Sequence, residues 1–166
     1  MSRDIISVDD VYLNTLGTFI TIVNSASPIP HSDSFFNELF ESKCETKPAT
    51  FISQLAYYGE IAVGCVKAKL ITDKISKTEL PGVHIETLDV LKAYRGKGVG
   101  SKLLEYVENR CKQYHQSELY TYVPSNNEGA VEWYLKHGFK LNNDRVQGYY
   151  EETAESLDAY LLMKRL

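Results

Sequence analysis

Only three of the 166 residues are cysteine: Cys44, Cys65 and Cys111. They are odd in number, far apart and without a CxxC pair, so neither a disulfide framework nor a zinc site is indicated and they read as reduced thiols. There is no surplus of base. Lys and Arg number 18 against 22 Asp and Glu, a formal charge of −4, which argues against direct nucleic-acid binding and leaves any phosphate recognition to a local feature. No stretch approaches the ~20 apolar residues of a membrane span. The N-terminal MSRDIISVDD carries charge where a signal peptide needs an apolar run, and Ser2 stands where N-myristoylation needs glycine. Repeats, low-complexity tracts and linkers are also missing. The expectation is a cytoplasmic protein with no membrane partner and no metal. Its 43% apolar content is enough to build one domain over residues 1–166.

What is present has the rhythm of a mixed α/β (α+β) chain. DDVYLNTLGTFITIVNS spaces Val11, Leu13, Leu16, Phe19, Ile20 and Val23 as a helix does. Pro28 and Pro30 break it, and Ser32 or Asp33 then caps a second helix through SFFNELFES. FISQLAYY, EIAVGCVKAKLI and VHIETLDVL read as three strands of an antiparallel meander, with 73–82 as a mobile hairpin loop. A helix follows with Leu103, Leu104, Val107 and Cys111 on one face. Then come the strand LYTYV and a helix from Glu128 to His137 stopped by Gly138. FKL, the loop NNDRVQGYYEETAES and the strand LDAYLLMKRL close the chain. That order predicts a mixed central sheet with helices on both faces.

The chemistry concentrates where strand meets helix, in AYRGKGVGSKLLEYVENR. Gly96, Gly98 and Gly100 are evenly spaced, unlike GxGxxG. Ser101–Lys102 reverses the order a Walker loop needs. What remains is Arg-x-x-Gly-x-Gly, carried by Arg95, Gly98 and Gly100. Glycines there let successive N–H groups turn toward one anion at a helix N-terminus, a fit for a pyrophosphate. The alternative is a turn that merely staples strand to helix.

With that loop the chain resembles the GCN5-related N-acetyltransferase (GNAT) family, whose loop pattern is Q/R-x-x-G-x-G/A. NNEGAVEWYLKHGF is similar to the family's second signature. The resemblance implies a GNAT fold and acetyl-CoA as acetyl donor, with Arg95, Gly96, Lys97, Gly98, Val99, Gly100 and Ser101 around the pyrophosphate. Leu88 and Val90 would offer backbone groups to pantetheine, Asn127 would hydrogen-bond it, and Tyr134 would protonate the leaving thiolate. SPIPHSDSFF, TLDVLKAYR, the NNEGAVEWYLKHGF helix and GYY together resemble the San-type N-terminal acetyltransferases, the catalytic subunits of NatE. In that likeness Pro28, Ile29, His31, Tyr149 and Tyr150 would line a groove for a nascent peptide N-terminus. Ser27 and His31 stand where the group has Phe and Tyr, which trims an apolar pocket for an initiator methionine.

Alternation in VHIETLDVL puts His84, Glu86, Leu88 and Val90 on one face and Val83, Ile85, Thr87 and Leu91 on the other. The resemblance places a general base at His84; the bland alternative is a half-buried strand histidine bonded to backbone. San-type enzymes carry tyrosine there and histidine at the position of Tyr122, so the two types are exchanged here. If their strands are neighbours, His84 and Tyr122 could still share a water. Tyr149 and Tyr150 could equally be a pair packed on the sheet.

Two functions stay open. One is an N-alpha-acetyltransferase acting on nascent chains that begin Met-apolar, as a NatE subunit associated with the NatA auxiliary and catalytic subunits and, through them, the ribosome. The other is an acetyl-CoA-binding subunit that docks on that complex with weak or no activity. A small amine or a lysine as acceptor is a third and weaker reading.

Overall fold

The computed structural model describes residues 5–40, 51–72, 78–150 and 157–166. Among these residues seven strands form one sheet in the order β1-β2-β3-β4-β5-β7-β6. They are β1 Ile6–Asp9, β2 Phe51–Tyr58, β3 Ile61–Ile71, β4 Gly82–Val90, β5 Glu118–Pro124, β6 Lys140–Tyr150 and β7 Leu157–Arg165. Every pairing is antiparallel except β4 with β5. Among the described residues four α-helices accompany the sheet: α1 Leu16–Ala26, α2 Asp33–Asn37, α3 Val99–Gln113 and α4 Glu128–Lys136. The mixed sheet with helices on both faces is therefore as expected. Two elements are corrections. Ile6–Asp9, read as no element, pairs with β2, and much of the anticipated loop after Phe139 is strand β6, paired to β7 with register shifts. Of the expected mobile loop at 73–82, residues 73–77 lie outside the described residues, as does Cys44.

The helices cover opposite faces because side chains alternate along a strand. Val99, Leu103, Leu104, Val107 and Cys111, recurring at helical spacing, bury one stripe of α3 against Ala56, Val66, Ala68 and Ile85. Phe19, Ile22 and Val23 of α1 bury against Leu55 and Cys65 on the other face. Each such side chain contributes about 1.5–3 kcal/mol by leaving water.

Two irregularities make room for a site. The first is a bulge in β4. Lys67 stands opposite Thr87 and Ala68 opposite Ile85, so Glu86 is an extra residue. Directly opposed residues share a face, and the bulge inverts the alternation. His84 opposes Lys69 on the α1 face, where Thr87 and Asp89, opposite Lys67 and Cys65, also lie. Leu88 and Val90 oppose Val66 and Gly64 on the α3 face. The expectation that His84, Glu86, Leu88 and Val90 share one face is thus corrected, because one inserted residue separates His84 from Leu88.

The second irregularity is a splay. β4 and β5 pair only at Val83–Leu119, His84–Tyr120 and Ile85–Thr121. The Thr121 hydroxyl closes this short ladder by donating to the Ile85 carbonyl at 2.9 Å. Past that point β5 continues alongside β7, and no ladder joins it to β4 among the described residues.

Candidate active site

The gap left by the splay opens into a cleft of about 610 Å³. Its floor is the end of β4. The Leu91 N–H bonds the Val63 carbonyl at 2.8 Å, toward β3. Peptide groups alternate in direction along a strand, so the backbone groups of Leu88 and Val90 face the opposite edge, into the gap. The Val90 carbonyl accepts a hydrogen bond from Arg95 Nε at 3.0 Å. That bond ties the guanidinium side chain to the strand rather than aiming it across the cleft.

The glycine loop forms one end. Gly96 and Gly98 have φ of +77° and +91°, and Gly98 is the N-cap of α3; L-residues in that left-handed region are strained. The first intrahelical bond runs from Lys102 N–H to the Gly98 carbonyl at 3.2 Å. The N–H groups of Val99, Gly100 and Ser101 therefore have no partner within the helix and converge where the helix dipole is positive. Gly100 meets a different constraint: a Cβ there would lie 3.0 Å from Trp133 Cζ2. This arrangement fits a pyrophosphate by its donor set. Lys97 does not line the cleft; its ammonium sits 5.7 Å from the Tyr58 ring centroid.

Trp133 forms the facing wall on α4 and is held by His137. The two rings stack at 3.9 Å. His137 Nδ1 lies 2.7 Å from the Trp133 carbonyl and so carries the proton, leaving Nε2 to accept from the Ser101 hydroxyl at 2.9 Å. Ser101 thus spends its hydroxyl on α4 and leaves only its backbone N–H for a ligand. Asn127 caps α4 by accepting from Ala130 N–H at 3.2 Å, which keeps its amide donors available to the cleft.

A second cavity of about 110 Å³ adjoins the first, walled by Ser27, Pro28, Ile29 and His31 from the α1–α2 connection and by Tyr122 and Tyr150 opposite. The Tyr150 hydroxyl donates to the Tyr122 carbonyl at 3.0 Å, joining the end of β6 to β5. His31 stacks on Phe35 at 4.0 Å, and burial together with the Lys67 charge lowers its pKa. Tyr149 lies behind this wall, stacked on Tyr122 at 4.5 Å. Under the groove Lys67, fully buried, bridges Glu38 and Glu86, the latter at 3.2 Å. Glu86 Oε1 has no hydrogen-bond partner among the described residues.

Tyr134 borders both cavities. Burial pushes its phenol well above the ordinary value, offset in part by a hydrogen bond with Thr121, so it holds its proton at neutral pH. His84 borders neither cavity. Its ring stacks on Tyr120 at 5.0 Å and meets Tyr122 edge-on at 5.5 Å. Burial, then Lys69 and Lys67, lower its pKa to about 4. The Tyr122 hydroxyl donates to the Thr78 carbonyl at 2.8 Å. The structure therefore gathers the glycine loop, Leu88, Val90, Asn127 and Tyr134 in one cleft, and Pro28, Ile29, His31, Tyr122 and Tyr150 in its neighbour, while His84, Tyr149 and Lys97 stand outside both. Sequence reading missed Trp133 and Asp89. Trp133 lay within the helix signature and could have been found there; Asp89 depended on the bulge.

A strand that parts from its parallel neighbour beside a glycine-rich helix start is the architecture of an acyl-transfer cleft, and residues 17–139 match the acetyltransferase (GNAT) family. The chain belongs to that family. Among its relatives, it is 28% identical over 167 residues to the probable N-acetyltransferase san of Drosophila melanogaster, covering 100% of this chain and 84% of that one. It is 31% identical over 140 residues to N-alpha-acetyltransferase 50 of Danio rerio, covering 84% of this chain and 76% of that one. Its fold is similar to that of Arabidopsis thaliana Naa50 in complex with the bisubstrate analogue CoA-Ac-MVNAL, with a TM-score of 0.78 at 30% identity over 98% of this chain and 100% of that one.

Proposed function

We propose that this GNAT enzyme transfers acetyl from acetyl-CoA to the N-terminal α-amine of polypeptides. The observation that carries the proposal is the meeting of two cavities at Tyr134: one ends on unpaired helix N–H groups suited to a pyrophosphate, the other is a short groove walled by the α1–α2 connection and Tyr150. The Arabidopsis relative holding an analogue that joins CoA to a peptide supports the same division of the site. In this reading the N–H groups of Val99, Gly100 and Ser101 hold the pyrophosphate. Asn127 and the backbone of Leu88 and Val90 align the pantetheine arm, and Tyr134 supplies the proton to the departing thiolate. Pro28, Ile29, His31 and Tyr150 hold the acceptor, with Tyr149 stiffening Tyr122 from behind. His84 acts on the acceptor through the Tyr122 ring rather than by contact.

The acceptor class is nascent chains that start with Met before an apolar residue, and the setting is NatE beside NatA at the ribosome in the cytoplasm, as the San-type likeness implies. The test is acetylation of Met-Leu and Met-Val N-terminal peptides beside an acidic-start peptide, together with a thermal-melt titration by acetyl-CoA. Acetylation of the Met-apolar peptides is expected. Acetyl-CoA stabilisation with no peptide acetylated would leave a docking subunit, and no stabilisation at millimolar ligand would overturn the donor site as well.

A further inference from the structure

We propose that Asp89 is the general base of the reaction, the group that takes the proton from the acceptor amine. The proposal rests on the acetyl-transfer reading above. Donor and acceptor must meet where the two cavities join, and the residues bordering both are Pro28, Leu88, Asp89, Asn127, Ala130 and Tyr134. Of these six only Asp89 and Tyr134 titrate. Tyr134 holds its proton, which leaves Asp89 as the acceptor.

The bulge puts Asp89 in that place. Regular alternation from Ile85 would send residue 89 to the α3 side, into the apolar core. The extra Glu86 turns Asp89 to the α1 face instead, opposite Cys65 and beneath the Ser27–His31 wall. The residue is 8% exposed, and its carboxylate takes part in no ion pair among the described residues. The Thr87 hydroxyl donates to Oδ2, which orients the group and leaves Oδ1 for an amine proton. The titratable and charged groups around it are Cys65 on β3, Tyr134 on α4 and Arg95 after β4. Burial raises the carboxyl to about 6, with Thr87 and Arg95 pulling it partway back. A base so placed is ionised at pH 7 yet basic enough to help an α-amine of pKa about 7.8. His84, outside both cavities and near pKa 4, is neither within reach nor basic enough.

The proton inventory balances. Asp89 takes one proton from the ammonium form of the acceptor. The amine lone pair forms the C–N bond to the acetyl carbonyl carbon, and the C–S bond breaks with its electrons going to sulfur. Tyr134 protonates the thiolate and is recharged, through water, by the second proton the nitrogen loses as the amide forms. The first proton leaves Asp89 for solvent.

The experiment measures kcat/KM against pH from 5 to 9 with the full chain, acetyl-CoA and the best peptide of the panel, for wild type, Asp89→Asn, Asp89→Glu and His84→Ala. Wild type should show an acidic limb near pH 6. Asp89→Asn should lose that limb and fall about 10²- to 10³-fold at pH 7, with the acetyl-CoA melt shift retained. Its remaining rate should rise with pH as the amine deprotonates unaided. Asp89→Glu should recover part of the rate. Asp89→Asn activity within threefold of wild type with the limb intact would overturn the proposal. So would a fall in rate accompanied by loss of the acetyl-CoA melt shift, since that marks a structural role, or an acidic limb removed by His84→Ala alone. Wild type that binds acetyl-CoA and acetylates no peptide overturns the parent reading, and the base assignment with it.

Discussion

Replacing Lys67 by methionine tests how the acceptor groove is held. Lys67 is 0% exposed, its ammonium bridges Glu38 and Glu86, and it lies 3.8 Å from the Phe35 ring centroid and 4.8 Å from that of Phe51. Methionine keeps much of the stem's volume and removes the charge, leaving two half-buried carboxylates facing each other without a cation. Breaking a buried pair in this way costs about 3–5 kcal/mol, part of it from cation–π attraction of about 0.5–2 kcal/mol. At roughly 2–4 °C per kcal/mol for a chain of this size, Tm should fall by about 10 °C. The sign of the pH dependence follows from Glu86. Burial already holds its carboxyl above the ordinary value, and the Lys67 charge pulls it partway back; without that charge it rises further, so the variant should recover stability relative to wild type as pH falls from 7 toward 4 and Glu86 takes up a proton. Lys67→Met with Glu86→Gln should lose less than Lys67→Met alone. Glu38 follows α2, and the groove wall at Ser27–His31 lies between α1 and α2. The peptide KM should therefore rise more than the acetyl-CoA KM. A loss below 1 kcal/mol in urea denaturation, unchanged between pH 7 and 5, would refute this account of the triad.

Four further outcomes are expected. Burial holds the Asp89 carboxyl at about 6 in the folded chain against about 3.9 unfolded, so its ionisation costs about 3 kcal/mol of stability, present above pH 6 and absent below pH 4. Asp89→Asn should be the more stable protein at pH 7.5 in urea titrations and lose that advantage at pH 4. Gly98→Ala has room for its methyl, 3.8 Å from Ile6 Cδ1, but must hold a left-handed φ; a loss of about 1–2 kcal/mol and weaker acetyl-CoA binding by calorimetry are expected. Gly17→Ala, helical with nothing within 4 Å, should gain about 0.5–1 kcal/mol. Tyr134→Phe should lower kcat at least tenfold while leaving the acetyl-CoA KM within twofold, as removal of a proton donor does.

The fold was legible where neighbours in sequence settle structure. The three middle strands, the stripe on α3, and the stop after α4 at Gly138 followed from spacing and end signals, because each depends on contacts within a few residues. Strand β6 was not legible. Asn142, Asn143, Asp144 and Gly148 are turn formers by composition, and only the pairing of Lys140, Leu141, Arg145, Val146 and Tyr150 with β7 makes the segment a strand. Four residues at Ile6–Asp9 are too few for a periodic signal, and their strand exists because the edge of β2 is there to accept it.

The glycine loop was written almost entirely in residues 93–101. A glycine N-cap and a helix start are consecutive there, so the sequence by itself determined where N–H groups without a helical partner converge. The acceptor side depended on the tertiary structure. One extra residue at Glu86 decides which way Thr87, Leu88 and Asp89 point, and that bulge arises from register with β3, some twenty residues earlier in the chain. It carries Leu88 away from His84, and it brings Asp89, unremarkable in TLDVL, to the boundary between the two cavities. A period of two predicts faces only while the ladder is unbroken; where it slips, the partner strand makes the choice.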